Sequence, residues 1–332
     1  MTRRVKSLRY RKGVVPCPFS RLATLVALAL LLSGCSIKKY AINTVGDALA
    51  EGNSVYETDE DVALVGDALP FGLKLVESLL QESPDHRGLL LTATRGFVLY
   101  SYAYVDYPAE VAADEDIQKA REMRARARKL YERSFRYGLR GLETSYPALG
   151  SQLIADPTAA LSVIRNQKKK QQDLPFLYWT AAALGSAISV SKNDAAMLGR
   201  IPEVEAMLDR ALALDEGWEE GAFHEFQVTL ATAKPGTPDE ESVRMHFSRA
   251  LELSGGKRAG LFVALARALS IPNQNRSEFT SLLNKALAVD PDEHINHRLA
   301  NLLAQRQARR LLAKTDELFF EEAPASSVGG SP

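Results

Sequence analysis

Two cysteines, Cys17 and Cys35, are all that the 332 residues contain. A scaffold held by several disulfides is therefore excluded. Period-2 alternation and β-branched runs are scarce, which argues against a sheet protein. No uninterrupted apolar stretch approaches the ~18 residues of a membrane-spanning helix. Acidic residues are missing from one region altogether: the first 34 residues hold seven basic side chains (Arg3, Arg4, Lys6, Arg9, Arg11, Lys12 and Arg21) and no acidic one. Beyond them, 34 basic side chains stand against 41 acidic ones, a net of −7 hidden behind an overall charge of zero. A body that negative lacks the basic face that phosphate contacts require, so nucleic acid is not an expected partner. Apolar material is not lacking. At 46% hydrophobic residues the chain can build a packed core and is not a disordered polymer.

The basic stretch leads into "LATLVALALLL", Leu22–Leu32. As a helix this run spans roughly 16 Å, about half of a ~30 Å bilayer core. A basic segment, a short apolar run and then small residues form a secretory signal peptide rather than a span. The next residues, "LSGC" at Leu32–Cys35, resemble the bacterial lipobox, in which the cysteine thiol receives a diacylglycerol before cleavage. Residues 1–34 are thus expected to leave as a lipoprotein signal peptide, taking Cys17 with them. Cys35 becomes the lipidated first residue, and no disulfide is possible. Ser36 permits outer-membrane sorting under the proteobacterial rule that an Asp there favours retention in the inner membrane. Residues 35–59 are expected to be the anchored N-terminus and a linker with a short helix.

Everything after this linker has apolar residues at helical spacing. The pattern predicts about 12 helices, near 41–50, 60–82, 86–107, 114–143, 157–167, 174–190, 202–214, 217–233, 239–254, 257–270, 276–289 and 292–315. Pro70 and Gly72 are expected to kink or split the second. Asp156-Pro157, Thr237-Pro238-Asp239-Glu240 and Asp290-Pro291-Asp292-Glu293 supply cap and first-turn signals. The tail "EEAPASSVGGSP" has no apolar face, and disorder is expected over 319–332.

The helix endings repeat. "ALALD" at Ala211–Asp215, "ALELS" at Ala250–Ser254 and "ALAVD" at Ala286–Asp290 each follow a basic residue. Aligned on their first alanine, they give the sets Val204/Leu208/Ala211/Leu212, Val243/Phe247/Ala250/Leu251 and Phe279/Leu283/Ala286/Leu287. Each set is one helix face with a small residue in third place. Ala127/Tyr131/Ser134/Phe135 and Phe71/Leu75/Ser78/Leu79 fit the same template. The anchors Ala211, Ala250 and Ala286 are 39 and 36 residues apart. That period predicts an all-α, degenerate tetratricopeptide-like solenoid of helical hairpins over 60–318. An irregular helical bundle is the competing reading.

Catalytic patterns are absent. "FHEFQ" lacks the second histidine of a zinc-protease motif, no serine is framed as Gly-x-Ser-x-Gly, and "SGGKRAG" has no preceding strand. Gly255 within it is expected to cap a helix C-terminus. His294 and His297 are three residues apart on an expected helix but have no third ligand, so no metal or other cofactor is expected. "REMRARARK" (Arg121–Lys129) is expected to be a solvated basic face, or one docked to an acidic partner.

Two aromatic stretches remain. "GFVLYSYAYVDY" (Gly96–Tyr107) sets Phe97, Tyr100, Tyr104 and Tyr107 along one stripe with Tyr102 turned away. "FLYWTAAALGSAIS" (Phe176–Ser189) opens with three aromatics. Large amphipathic rings suit either the solenoid core or the wall of a ligand cleft. Tyr100, Tyr104, Tyr178 and Trp179 are the candidates for a cleft.

Taken in order, the lipobox, "LYERSFRYGLRGLE" (Leu130–Glu143), "DLPFLYWTAAALGSAIS" (Asp173–Ser189), "RALALDEGWEEGAFHEF" (Arg210–Phe226), "FSRALELSGG" (Phe247–Gly256) and "HRLANLLAQRQARRLL" (His297–Leu312) resemble the TatT family. This is the T component associated with tripartite ATP-independent periplasmic (TRAP) transporters. The sequence departs from the family pattern at Leu184, where a tryptophan is expected. The resemblance implies a periplasmic lipoprotein without catalytic activity, anchored to a membrane by its lipid. It also implies a homo-oligomer, with a trimer favoured, and pairing with a TRAP-type solute-binding protein. A cleft or pore for a hydrophobic or organic-acid ligand is implied as well. A tetratricopeptide scaffold in outer-membrane or cell-wall assembly is the alternative.

Overall fold

The computed structural model describes residues 40, 42–49, 54–165 and 169–320. The expected signal segment 1–34, Cys35 and residues 321–332 lie outside the described residues. Among those described, every regular element is helical. Residues 42–49 are helical, within the stretch expected near 41–50. After them come α1 (Ser54–Glu57), α2 (Val62–Glu82), α3 (Arg87–Ser101), a π turn (Tyr102–Asp106), α4 (Tyr107–Ala112) and α5 (Ile117–Glu143). It continues with α6 (Leu149–Ala155), α7 (Pro157–Leu161), α8 (Lys170–Ser189), α9 (Ala195–Leu198), α10 (Ile201–Leu214), a 3₁₀ turn (Trp218–Glu220) and α11 (Ala222–Ala231). The last part holds α12 (Glu240–Ser254), α13 (Ala259–Leu265), a second π turn (Ala266–Ser270), α14 (Arg276–Ala288), a 3₁₀ turn (Ile295–His297), α15 (Arg298–Ala313) and α16 (Thr315–Leu318).

The helices form two layers. The second helix of each hairpin (α5, α10, α12 and α14) carries the small residue expected at the repeat anchor, and Ser134, Ala211, Ala250 and Ala286 are all buried. A small side chain there lets the neighbouring helix approach closely. Ser134 uses the approach to donate a hydrogen bond to the Thr94 carbonyl on α3 at 2.6 Å. The larger members of the sets, Tyr131, Val204, Leu208, Phe279 and Leu283, have no exposed surface. The solenoid reading of these four repeats therefore describes the packing.

The fifth repeat match does not. Phe71 is 76% exposed and Leu75 40%, because α2 turns the opposite stripe inward: Val62, Val65, Leu69, Leu73, Val76 and Leu80. The same helix runs unbroken through Pro70, held on both sides of the proline by buried contacts that override its local preference. Other boundaries shift as well. The cap of α12 is Asp239, whose carboxylate accepts from the Ser242 amide, and not Thr237. The final long helix begins at Arg298, since residues 291–297 form turns. Asp156 caps α7 and Gly255 ends α12 with a φ of 61°, as expected. Phe319 is buried with its ring 4.9 Å from that of Phe279, so ordered chain passes the expected start of the tail.

The solenoid also closes on itself. α15 packs against α1 and α2, bringing the last long helix onto the start of the solenoid. Leu299 and Leu303 complete an apolar cluster with Val62, Val65, Leu69 and Ala103. Arg298 pairs with Glu60 at 2.9 Å, Arg310 with Glu110 at 3.2 Å, and Lys314 with Asp114. Gln307 donates to the Tyr102 hydroxyl at 2.6 Å.

Candidate ligand cavity

A ring of helices leaves a space inside. The first helices of the hairpins (α3, α8, α11 and α13), with α15, wall a cavity of about 1690 Å³. That exceeds the usual range for a small-molecule pocket, ~300–1,000 Å³. The wall has three chemically distinct parts.

The first is an aromatic box. Tyr178 lies at its centre, with ring centroids 5.0 Å from Trp179, 5.3 Å from Trp218 and 6.0 Å from Phe226. Phe223 backs the box from the core, 5.0 Å from Trp218. Burial pushes the Tyr178 hydroxyl up to about 12, so it stays a neutral donor. Both tryptophans of the chain lie on this wall.

The second part is cationic. Arg95 on α3 stands 5.5 Å over the Trp179 ring and pairs with Glu57 of α1. Arg258 pairs with Glu225 at 3.0 Å and Arg267 with Glu110 at 2.9 Å. The Nε of Arg258 and that of Arg267 are buried without a hydrogen-bond partner. Arg121, Arg124 and Arg128, from the basic run of α5, also reach the cavity. Arg128 ties the rim to Asp194 at 2.9 Å.

The third part is the π turn Tyr102–Asp106, which places Tyr102 and Asp106 on the wall. Burial raises the Asp106 carboxyl to about 6, partly opposed by the hydrogen bond it accepts from Tyr131. Such turns insert one extra residue into a helix and recur at functional sites.

Beside the box the backbone is strained. Glu219 and Glu220 have φ of 46° and 55°, followed by Gly221 at 84°. Non-glycine residues in this region cost roughly 1–2 kcal/mol each. The turn is held by Arg258, which donates to the Glu219 carbonyl at 2.6 Å, and by His297, 3.0 Å from Glu220. Gly221 is required by space as well, since a Cβ would meet Leu253 at 3.0 Å.

The structure separates the sequence candidates. Tyr178 and Trp179 line the cavity. Tyr100 and Tyr104 sit elsewhere, on the seam with α2. Tyr104 donates to the Val62 carbonyl at 2.7 Å and covers Gly66; Tyr100 stacks on it at 5.8 Å and accepts from Arg126. Tyr102, expected to turn away from the stripe of Tyr100 and Tyr104, does so and faces the cavity, where Tyr107 beyond the π turn joins it. Trp218, Arg95, Arg258 and Arg267 were not singled out by sequence reasoning. The "DEGWEEG" stretch around Trp218, two glycines bracketing a tryptophan and two acids, was the available signal for the first. Among the described residues, no group of three or more His, Cys, Asp or Glu side chains converges as a metal site would require. His297 is engaged by Glu220. A second histidine pair, His224 and His246, has Nδ1 atoms 2.8 Å apart between α11 and α12.

The fold and cavity together define a closed tetratricopeptide-like ring with a partly open central cavity and no described helix able to cross a membrane. Residues 58–319 match the family model TAtT, TRAP transporter T-component, and the chain belongs to that family. It is thus an accessory component of TRAP-type transport. An uncharacterized protein of Treponema pallidum (strain Nichols) is 29% identical over 311 residues, covering 89% of this chain and 96% of that protein.

Proposed function

We propose that this chain is a non-catalytic, periplasmic lipoprotein that docks a TRAP-type solute-binding protein and holds its solute, a hydrophobic compound or an organic acid, in the cavity. The observation that carries the reading is the juxtaposition of the aromatic box with cavity-facing arginines inside a closed ring. Rings supply apolar area at roughly 25 cal/mol per Å² buried, and guanidiniums fix the orientation of an anionic end. Lipidated Cys35 would hold the protein at the periplasmic face of a membrane, the outer membrane being favoured, and raise its effective concentration there. Self-association, with a trimer favoured, is supported by the exposed apolar stripe of α2, where Leu64, Phe71 and Leu75 are 57%, 76% and 40% exposed.

Native mass spectrometry of the lipid-free protein, with and without a TRAP-type solute-binding protein, tests the proposal. The expected result is a homo-oligomer that takes up the solute-binding protein stoichiometrically. Capture of an outer-membrane or cell-wall assembly factor instead, with no TRAP-type partner, would sink it.

A further inference from the structure

Three of the arginines on the wall, Arg95, Arg258 and Arg267, are held in different ways. Arg258 and Arg267 are paired with Glu225 of α11 and with Glu110 of α4, long-range anchors of the ring itself. Arg95 is paired with Glu57, which lies on the four-residue α1 at the ring's closing seam. One face of the Arg95 guanidinium is directed to Trp179, 5.5 Å away, which belongs to the aromatic box. The Tyr178 ring, edge-on to Trp179 at 5.0 Å, lies at the centre of that box. Arg95 therefore joins the apolar and the ionic parts of the wall, and its carboxylate comes from a short peripheral element.

We propose that Arg95 binds the carboxylate of the cavity's ligand, an amphipathic monocarboxylate with an aromatic or alkyl body, and that Glu57 is an internal competitor which the ligand displaces. The proposal rests on reading the cavity as the solute site. A guanidinium offers a carboxylate a planar fork of donors, and stacking on an indole keeps that fork in plane. With the carboxylate on Arg95, the ligand's body falls among Tyr178, Trp179, Trp218 and Phe226. An uncharged analogue reaches the same box but cannot replace Glu57. Binding of the acid thus releases α1 from the inner wall, which an amide would leave in place.

Tryptophan emission reports the test directly, because both tryptophans lie on the wall. The purified mature chain is titrated with 4-phenylbutyrate and with its uncharged amide. The wild type is expected to bind the acid at least tenfold more tightly than the amide. Glu57→Gln tightens the acid about threefold or more and leaves the amide within twofold. Arg95→Gln lowers acid affinity to that of the amide, whose own affinity reports that the box is intact. If Arg95→Gln does not fold, Glu57→Gln decides alone. An unchanged acid preference in Arg95→Gln, or weaker acid binding in Glu57→Gln, overturns the inference. Equal binding of acid and amide by the wild type overturns this inference only, whereas binding of neither overturns the solute reading as well.

Discussion

Gly141→Ala separates two opposing effects by sign. Gly141 lies inside α5, and an alanine in an exposed helix interior would gain about 1 kcal/mol over glycine. Here a Cβ would land on the Phe176 ring of α8. Phe176 is buried, and the Arg87 guanidinium covers its ring at 4.8 Å. Arg87 is itself fixed by Gly141 O at 3.0 Å, Thr144 Oγ1 at 2.8 Å and the buried Asp173 carboxylate at 3.1 Å. The ring has nowhere to swing. Overpacking of this kind costs ~1–3 kcal/mol and sometimes more; less the helix gain of about 1, a net loss of about 1 kcal/mol remains, which lowers the melting temperature by roughly 2–4 °C in a domain of this size. Trp179 is one turn along the same helix, so its emission should shift too. Urea titration of wild type, Gly141→Ala, Phe176→Ala and the double variant gives the coupling. Once the ring is gone, the alanine should become neutral or stabilising. A single Gly141→Ala variant as stable as the wild type would refute the close-approach argument.

Three other outcomes are expected. Burial holds His246 down to about 4, so between pH 6.5 and 4 the unfolded chain takes up a proton that the folded chain refuses. Stability should fall across that window, and His246→Phe should flatten the fall in thermal melts against pH. Asp106 behaves oppositely: its folded value of about 6 lies above the ordinary one, so stability is lost as pH rises from about 4 through 6. Asp106→Asn, which can still accept from Tyr131, should melt higher than wild type at pH 8, with the gain shrinking by pH 5. Phe71→Glu should reduce oligomerisation in light scattering without lowering the melting temperature by more than a degree or two, since the ring is 76% exposed.

The repeated endings made the outer layer legible, because a small residue at a helix contact leaves a regular mark in sequence. α2 misled for a definable reason. It is apolar on two stripes, and Phe71/Leu75/Ser78/Leu79 matches the template as well as the buried stripe does. The tyrosine stripe holds through Tyr100 and Tyr104, which stack, and breaks only beyond the π turn, where the added residue brings Tyr107 to the cavity beside Tyr102. Ring closure leaves no local signal at all: Tyr102 and Gln307 are 205 residues apart. The cavity arginines were equally silent, since Arg95, Arg258 and Arg267 look like any solvated cation until the ring folds around them. Trp179 and Tyr178 could be read because consecutive aromatics are costly to place on an open surface.

The central claim is that this ring receives a solute from a TRAP-type solute-binding protein. It is tested most directly by following Trp179 and Trp218 emission while solute-loaded binding protein, its own tryptophans silenced or spectrally subtracted, is added. The account predicts a saturable change with loaded protein, weakened in Arg95→Gln. No change at tens of micromolar, or the same change with empty binding protein, would contradict it.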